Sequence, residues 1–322
     1  MRVIFIIVSL NTNGYHLSVN DMKKTIATML FSLAMSPLVQ AETITISHEL
    51  GKTTLESKPQ RVVVIGTGTL DAIDYFGIKP VAVTQATTMP DYLLKYKTKE
   101  FASSGSLNEP DFETIYMQKP DVIIIGPRAV KAYKELSEIA PTIMFNADSK
   151  GYWKSTQEQW RMLGKVFEIE DEVEAKVSSV NAEINKIAAY NKAHNIAALT
   201  VMSAGGNITT FGAQSRFSAI YKDFGFQEAV KGIKESRHGD LVSYEYIRDV
   251  NPSNLLIVDK DKLINKDKSR TREEFANPLV QATDAYKNDS LTYLDINAWY
   301  LAIAGVTATD QMIKDVKQSI HL

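Results

Sequence analysis

Five histidines, no cysteine and two arginines close behind apolar runs bound the chemistry open to this 322-residue chain. Without cysteine there are no disulfides, thiolate zinc sites, iron–sulfur clusters or thiol nucleophiles. His16 falls in a leader-like start, His48 and His321 near the two ends of the remaining chain, and His194 at the close of a long helical stretch. That leaves His238 as the one central imidazole, too few for a histidine-rich zinc or manganese site. It lies in the polar stretch 231–240 between Gly232 and Gly239, which reads as a loop, and by type alone as a solvated side chain. Gly66-Thr67-Gly68-Thr69-Leu70-Asp71 comes after an apolar run but lacks the third glycine of a dinucleotide fingerprint. No G-x-S-x-G elbow or G-x-x-x-x-G-K-[ST] loop is present, so a secreted enzyme is the weaker class. Arg128 comes after the apolar run 121–126, and Arg216 is expected to open a helix after a turn at Gly212. Open α/β sheets bind ligands outside the carboxyl ends of their strands, and a guanidinium fork suits anionic oxygens. A solvated surface charge is the other reading of each arginine.

The elements that must position these groups alternate. Apolar β-branched runs at 61–66, 80–83, 121–126 and 142–145 read as strands buried on both faces, hence an α/β fold. Residues 168–194 hold no Gly or Pro, and Val173, Val177, Val180, Ile184 and Ile187 recur at spacings of three and four. This predicts one helix of about 40 Å at ~1.5 Å per residue, long enough to link two domains; a short coiled-coil seam is the rival. Beyond it, 197–202 and 208–211 read as a hairpin across Gly205-Gly206, 254–259 and 291–294 as strands, and 311–320 as a closing helix. The expected organisation is 42–167, a connecting helix 168–194, and 195–322. Each flanking part carries a Glu on a short helix, seven residues ahead of a Pro that opens a strand: Glu113 with Pro120, and Glu245 with Pro252.

Met22-Lys23-Lys24, the apolar stretch 26–35 and Val39-Gln40-Ala41 have the order of a secretory signal peptide. Cleavage is expected after Ala41, with residues 1–21 an upstream extension and translation starting at Met22. No Cys lies beyond the cleavage point, so a lipoprotein anchor is not expected, and the mature chain is assigned to the periplasm. Apolar residues at 44% and charged residues at 23% are those of an ordinary globular protein. A net charge of −2 disfavours a nucleic-acid partner.

This layout resembles the class III substrate-binding proteins of bacterial ABC importers for ferric siderophores, haem and cobalamin. The resemblance spans roughly 42–322 and rests on Pro59-Gln60-Arg61-Val62-Val63-Val64, the two Glu–Pro–strand units and Met312-Ile313-Lys314-Asp315-Val316. Trp299-Tyr300-Leu301 with Gly305 and Met312, together with Arg237-His238-Gly239, is similar to the catecholate-siderophore binders. The likeness implies two Rossmann-like lobes joined by one long α-helix, no intrinsic cofactor, Fe(III) arriving as a siderophore complex, and a monomer that delivers it to an inner-membrane permease.

Residue by residue, the resemblance implies that His238 and Tyr300 ligate iron. Ferric iron favours anionic oxygen donors. Two catecholates leave neighbouring sites open that one imidazole and one phenolate could fill, and iron lowers a phenol's pKa far below ~10. Arg128 and Arg216 correspond to arginines that contact catecholate oxygens. The family's third arginine falls on Lys260, which keeps the charge but loses the fork; Lys262 or Arg237 are alternative substitutes. Glu113 and Glu245 correspond to the pair that docks on the permease, and each also suits a helix first turn. A hydroxamate chelate or haem remains the alternative ligand.

Overall fold

The computed structural model describes residues 42–148, 151–233, 239–264 and 269–322. The expected leader at 1–41, and Arg237 and His238, lie outside the described residues. The chain opens on an antiparallel hairpin, β1 (Thr43–His48) and β2 (Gly51–Glu56). Next come β3 (Val62–Ile65), α1 (Thr67–Tyr75), β4 (Pro80–Val83), β5 (Ala102–Ser103), α2 (Phe112–Met117), β6 (Val122–Ile125), α3 (Tyr133–Ile139) and β7 (Thr142–Met144). Strands β3 to β7 form a wholly parallel sheet in the order β5-β4-β3-β6-β7. Every residue of β3 and β6 is buried, which accounts for continuous apolar runs without alternation.

Two helices come next, α4 (Tyr152–Phe167) and α5 (Glu170–Ala193). The long helix begins at Glu170 because Glu168 turns left-handed at φ 55°. Its 24 residues reach about 36 Å at ~1.5 Å per residue. The second sheet holds β8 (Ala197–Ala204), β9 (Asn207–Phe211), β10 (Gln227–Glu228), β11 (Asp240–Val242), β12 (Asn254–Asp259) and β13 (Leu291–Leu294). Its order is β11-β9-β8-β12-β13, with β10 beside β8. Strands β8, β12 and β13 are mutually parallel, and β8–β9 is the expected hairpin. Helices α6 (Ser218–Lys222) and α7 (Tyr244–Val250) lie within this part of the chain. The closing helix α8 (Val306–Ser319) starts five residues earlier than the apolar pattern predicts.

One core runs through both sheets. Val62, Val64, Val122 and Ile124 from the first sheet and Leu256 and Val258 from the second share a cluster with the α5 stripe Val173, Val177, Val180, Ile184 and Ile187. The alternate residues turn the other way: Val63, Ile65, Ile123 and Ile125 pack with Ile115 and Leu136, while Leu199, Val201, Leu255 and Ile257 pack with Ile247 and Phe275.

Helix α8 is fastened to the first sheet's side by a carboxylate from α1. Gly305 offers α8 no side-chain cap. Instead Asp71, fully buried, accepts hydrogen bonds from the backbone N–H of Thr307 at 2.8 Å and of Ala308 at 3.1 Å. Tyr92 donates its hydroxyl to the same carboxylate at 2.5 Å. A Cβ on Gly305 would stand 2.4 Å from Asp71 Cγ, so only glycine admits this approach. Burial pushes the Asp71 carboxyl up to about 6 from 3.8, against the pull of those hydrogen bonds. Folding therefore takes up a proton between the two values. The stability that this protonation contributes is fully present below 3.8 and is lost as the pH rises through about 6. Asp71→Asn leaves one helix N–H facing an amide N–H and should cost about 1–3 kcal/mol. The gap between wild type and variant should narrow as urea unfolding is repeated from pH 4 to pH 7.

Candidate functional site

The chain leaves β3 toward β4 on one side, then returns to place β6 on the other, so the order reverses between β3 and β6. Such a reversal leaves a crevice outside the carboxyl ends of the strands. A cavity of about 820 Å³ opens there. The segments after β3 (Ile65–Thr69), β5 (Leu107, Asn108, Glu109), β6 (Gly126, Pro127, Arg128, Val130, Lys131) and β7 (Phe145, Asn146, Ala147) line one wall. Arg216, Tyr300, Leu301 and Ile303 close it from the other part of the chain. The charged lining is Arg128, Lys131 and Arg216 against the single carboxylate Glu109. The cavity is thus positive in a chain whose net charge is −2.

Tyr300 carries the most distinctive chemistry. It sits in a π-helical turn, Asn297–Leu301, between β13 and α8, a turn type that recurs at functional sites. The turn is held from behind by Asp315 of α8. That carboxylate accepts from the Asp295 backbone N–H at 2.7 Å and from the Trp299 indole N–H at 2.9 Å; Gln311 donates to its other oxygen at 2.7 Å. Asp295 in turn accepts from the Ala298 N–H at 2.9 Å. With Trp299 anchored in the core, Tyr300 faces the cavity. The Arg216 guanidinium lies 3.9 Å from its ring centroid and the Lys260 ammonium 5.7 Å. Burial alone would raise the phenol's pKa; the charges of Arg216 and Lys260, with their hydrogen bonds, outweigh it and hold the phenol below its usual value.

The structure brings Arg128, Arg216 and Tyr300 onto one cavity, with Lys260 beside the phenol ring. Arg216 reaches it differently from the expected route. The helix opens at Ser218 rather than at Arg216, and the preceding strand β9 is antiparallel. The turns of 212–217 carry the side chain in, with its Nη2 donating to the Tyr300 carbonyl at 3.5 Å. Lys260 comes directly after the parallel strand β12. Lys262 lines a separate cavity with Arg272 and Asp295. Gly305 and Met312 of the sequence pattern serve the fold: Gly305 admits Asp71, and Met312 Sδ accepts from the Tyr152 hydroxyl at 3.3 Å.

Glu113 and Glu245 are exposed second residues of α2 and α7. Each helix is opened by a side-chain cap, Asp111 to the Thr114 N–H at 2.9 Å and Ser243 to the Tyr246 N–H at 3.3 Å. Each helix starts at the carboxyl end of its sheet and leads into a central strand, β6 or β12. For Glu113 this is the end at which the cavity opens.

Sequence reasoning misses the places of Lys131, Thr67 and Thr69 on the cavity wall, although Gly66-x-Gly68 comes directly after a strand. Among the described residues no cluster of three or more His, Asp or Glu could hold a metal ion. Tyr300 is a single donor, able to complete a metal's shell but not to build one.

Comparison with known proteins gives a consistent neighbourhood. Residues 62–298 match the family described as periplasmic binding protein. The crystal structure of the periplasmic catecholate-siderophore binding protein VctP from Vibrio cholerae is similar at 63% identity and a TM-score of 0.83, covering 86% of this chain and 99% of that one. The petrobactin-binding protein YclQ of Bacillus subtilis is 37% identical over 87% of this chain and 89% of its own length. The ferric-anguibactin-binding protein FatB of Vibrio anguillarum is 32% identical over 88% and 90%.

Proposed function

The chain belongs to the periplasmic binding protein family, and from that we propose that it captures ferric catecholate siderophores and delivers them to an inner-membrane ABC permease. The observation that carries this reading is the Tyr300 phenol, with Arg216 over its ring and Lys260 beside it, on a positive cavity. Three cations around the cavity complement an anionic chelate, and the phenolate completes iron left under-saturated by two catechols. Similarity to a catecholate-siderophore binder at 63% identity supports the choice of ligand class.

On this reading Arg128 and Arg216 hold catecholate oxygens with forked donors, and Lys260 supplies charge beside Tyr300. His238, which lies outside the described residues, is the second iron ligand. The protein performs no chemistry on its cargo. It works in the periplasm as a monomer, after removal of residues 1–41. Among the described residues no helix is long and apolar enough to cross a membrane.

Ligand class is tested by titrating the mature chain with ferric complexes of a bis-catecholate, a trihydroxamate and haem, while monitoring tryptophan fluorescence. Trp299 adjoins Tyr300 and reports on its surroundings. Binding of the catecholate, with its intense visible charge-transfer band and at least about a hundredfold preference, equivalent to about 2.7 kcal/mol, is the expected result. A preference for the hydroxamate or for haem would overturn the reading.

A further inference from the structure

The start of α1 presents unused hydrogen-bond donors to the cavity, on the wall that does not carry Tyr300. The helix is nine residues long, and its N-cap Gly66 has no side chain to offer. Its first backbone bond runs from Leu70 to Gly66 at 2.9 Å, which leaves the N–H groups of Thr67, Gly68 and Thr69 ahead of the helical ladder. All three residues line the cavity.

Two threonine side chains stand at the same place. Thr67 and Thr69 are only 8% and 2% exposed. Among the described residues neither hydroxyl has a hydrogen-bond partner. Both hydroxyls line the cavity and open on it rather than being sealed in the core, so a group that enters the cavity can bond them. The place is also tightly packed: a Cβ on Gly68 would stand 1.9 Å from the Ile303 carbonyl oxygen, so α1 starts hard against the loop that comes after Tyr300. Arg128 and Lys131 enter the same cavity from the adjacent strand end.

The N–H groups, Arg128 and Lys131 are donors and the hydroxyls can donate, against Glu109 as the one carboxylate on the same cavity, and the start of α1 is the positive end of a helix dipole. That suits an oxyanion with two oxygens, able to bridge an N–H and a hydroxyl. We propose that the start of α1 is an anchoring subsite for a carboxylate on the chelator's backbone, separate from the iron-binding phenol. This rests on the reading of the cavity as a siderophore cleft. The subsite selects among catecholate chelates according to what joins the catechols.

Two probes isolate it: the ferric bis-catecholamides of lysine and of cadaverine, whose linkers have equal length and differ by one carboxylate. The wild-type protein should bind the lysine chelate about tenfold more tightly, the scale of one hydrogen-bonded charge. The double variant Thr67→Val with Thr69→Val keeps side-chain shape and removes both hydroxyls; its preference should collapse toward equality. Thr67→Ser with Thr69→Ser should retain it. Equal binding of the two chelates by the wild type would overturn the subsite, and so would an undiminished preference in the valine variant. Binding of neither chelate would instead overturn the reading of the cleft, and the subsite with it. The wild-type comparison needs no variant to fold.

Discussion

Tyr300→Phe should weaken binding of a ferric bis-catecholate complex about a hundredfold, or about 2.7 kcal/mol, and of a tris-catecholate complex far less. The substitution keeps the ring, so packing beside Trp299 and the stacking of Arg216 at 3.9 Å survive. The loss is confined to the oxygen. A bis-catecholate leaves two iron sites open, and without the phenolate one of them passes to water. A tris-catecholate has no open site and, on the proposed reading, relies on Arg128, Arg216 and Lys260. Adding His238→Ala should deepen the first loss and leave the second nearly unchanged. Equal losses for both complexes, measured by fluorescence titration, would show that Tyr300 serves only as a wall of the cavity.

The second large effect falls on transport. Glu113→Ala with Glu245→Ala should abolish uptake of the ferric chelate in cells while leaving its dissociation constant unchanged in solution. Both carboxylates are exposed, one on each short helix that feeds a central strand. Glu245 is held in its ionised form by its own backbone N–H and the Ser243 hydroxyl. Exposed Phe112, Tyr116 and Met117 share the short helix of Glu113, and exposed Leu241 lies four residues before Glu245. A carboxylate rimmed by apolar groups is a surface suited to arginines on a protein partner. Uptake at the wild-type rate in the double variant would remove the docking role. Because neither glutamate lines the β3–β6 crevice, removing both side chains disturbs no contact there.

How legible each element is in the sequence depends on how it is buried. Strands β3, β6 and β12 are covered on both faces, so their composition alone marks them. The β1–β2 hairpin is largely exposed, with threonine alternating with isoleucine over 43–46 and a lone leucine in β2, and it escapes a search for apolar runs. The break between α4 and α5 has neither Gly nor Pro; Glu168 adopts φ 55° there, with its side chain bonded to Ser57 at 2.7 Å. Nothing local to Glu168 announces that contact.

Site residues divide in the same way. Arg128 comes after a parallel strand and is found by the strand-end rule; Lys260 also comes after one, but only the resemblance points to it. Arg216 comes after an antiparallel strand, and only the tertiary fold sets it over Tyr300. The cap of α8 is supplied by Asp71 from 236 positions earlier in the chain, a pairing that no spacing could reveal. Thr67 and Thr69 stand in a visible glycine-rich turn, but the only pattern that turn suggests is an incomplete nucleotide fingerprint. Only the fold places both on the cavity wall.

Resonance Raman spectroscopy on the protein loaded with a ferric bis-catecholate, excited within its charge-transfer band, tests the iron–phenolate bond most directly. Tyrosinate ring modes should stand beside the catecholate modes in the wild type and vanish in Tyr300→Phe. Catecholate modes alone, identical in both proteins, would contradict the account.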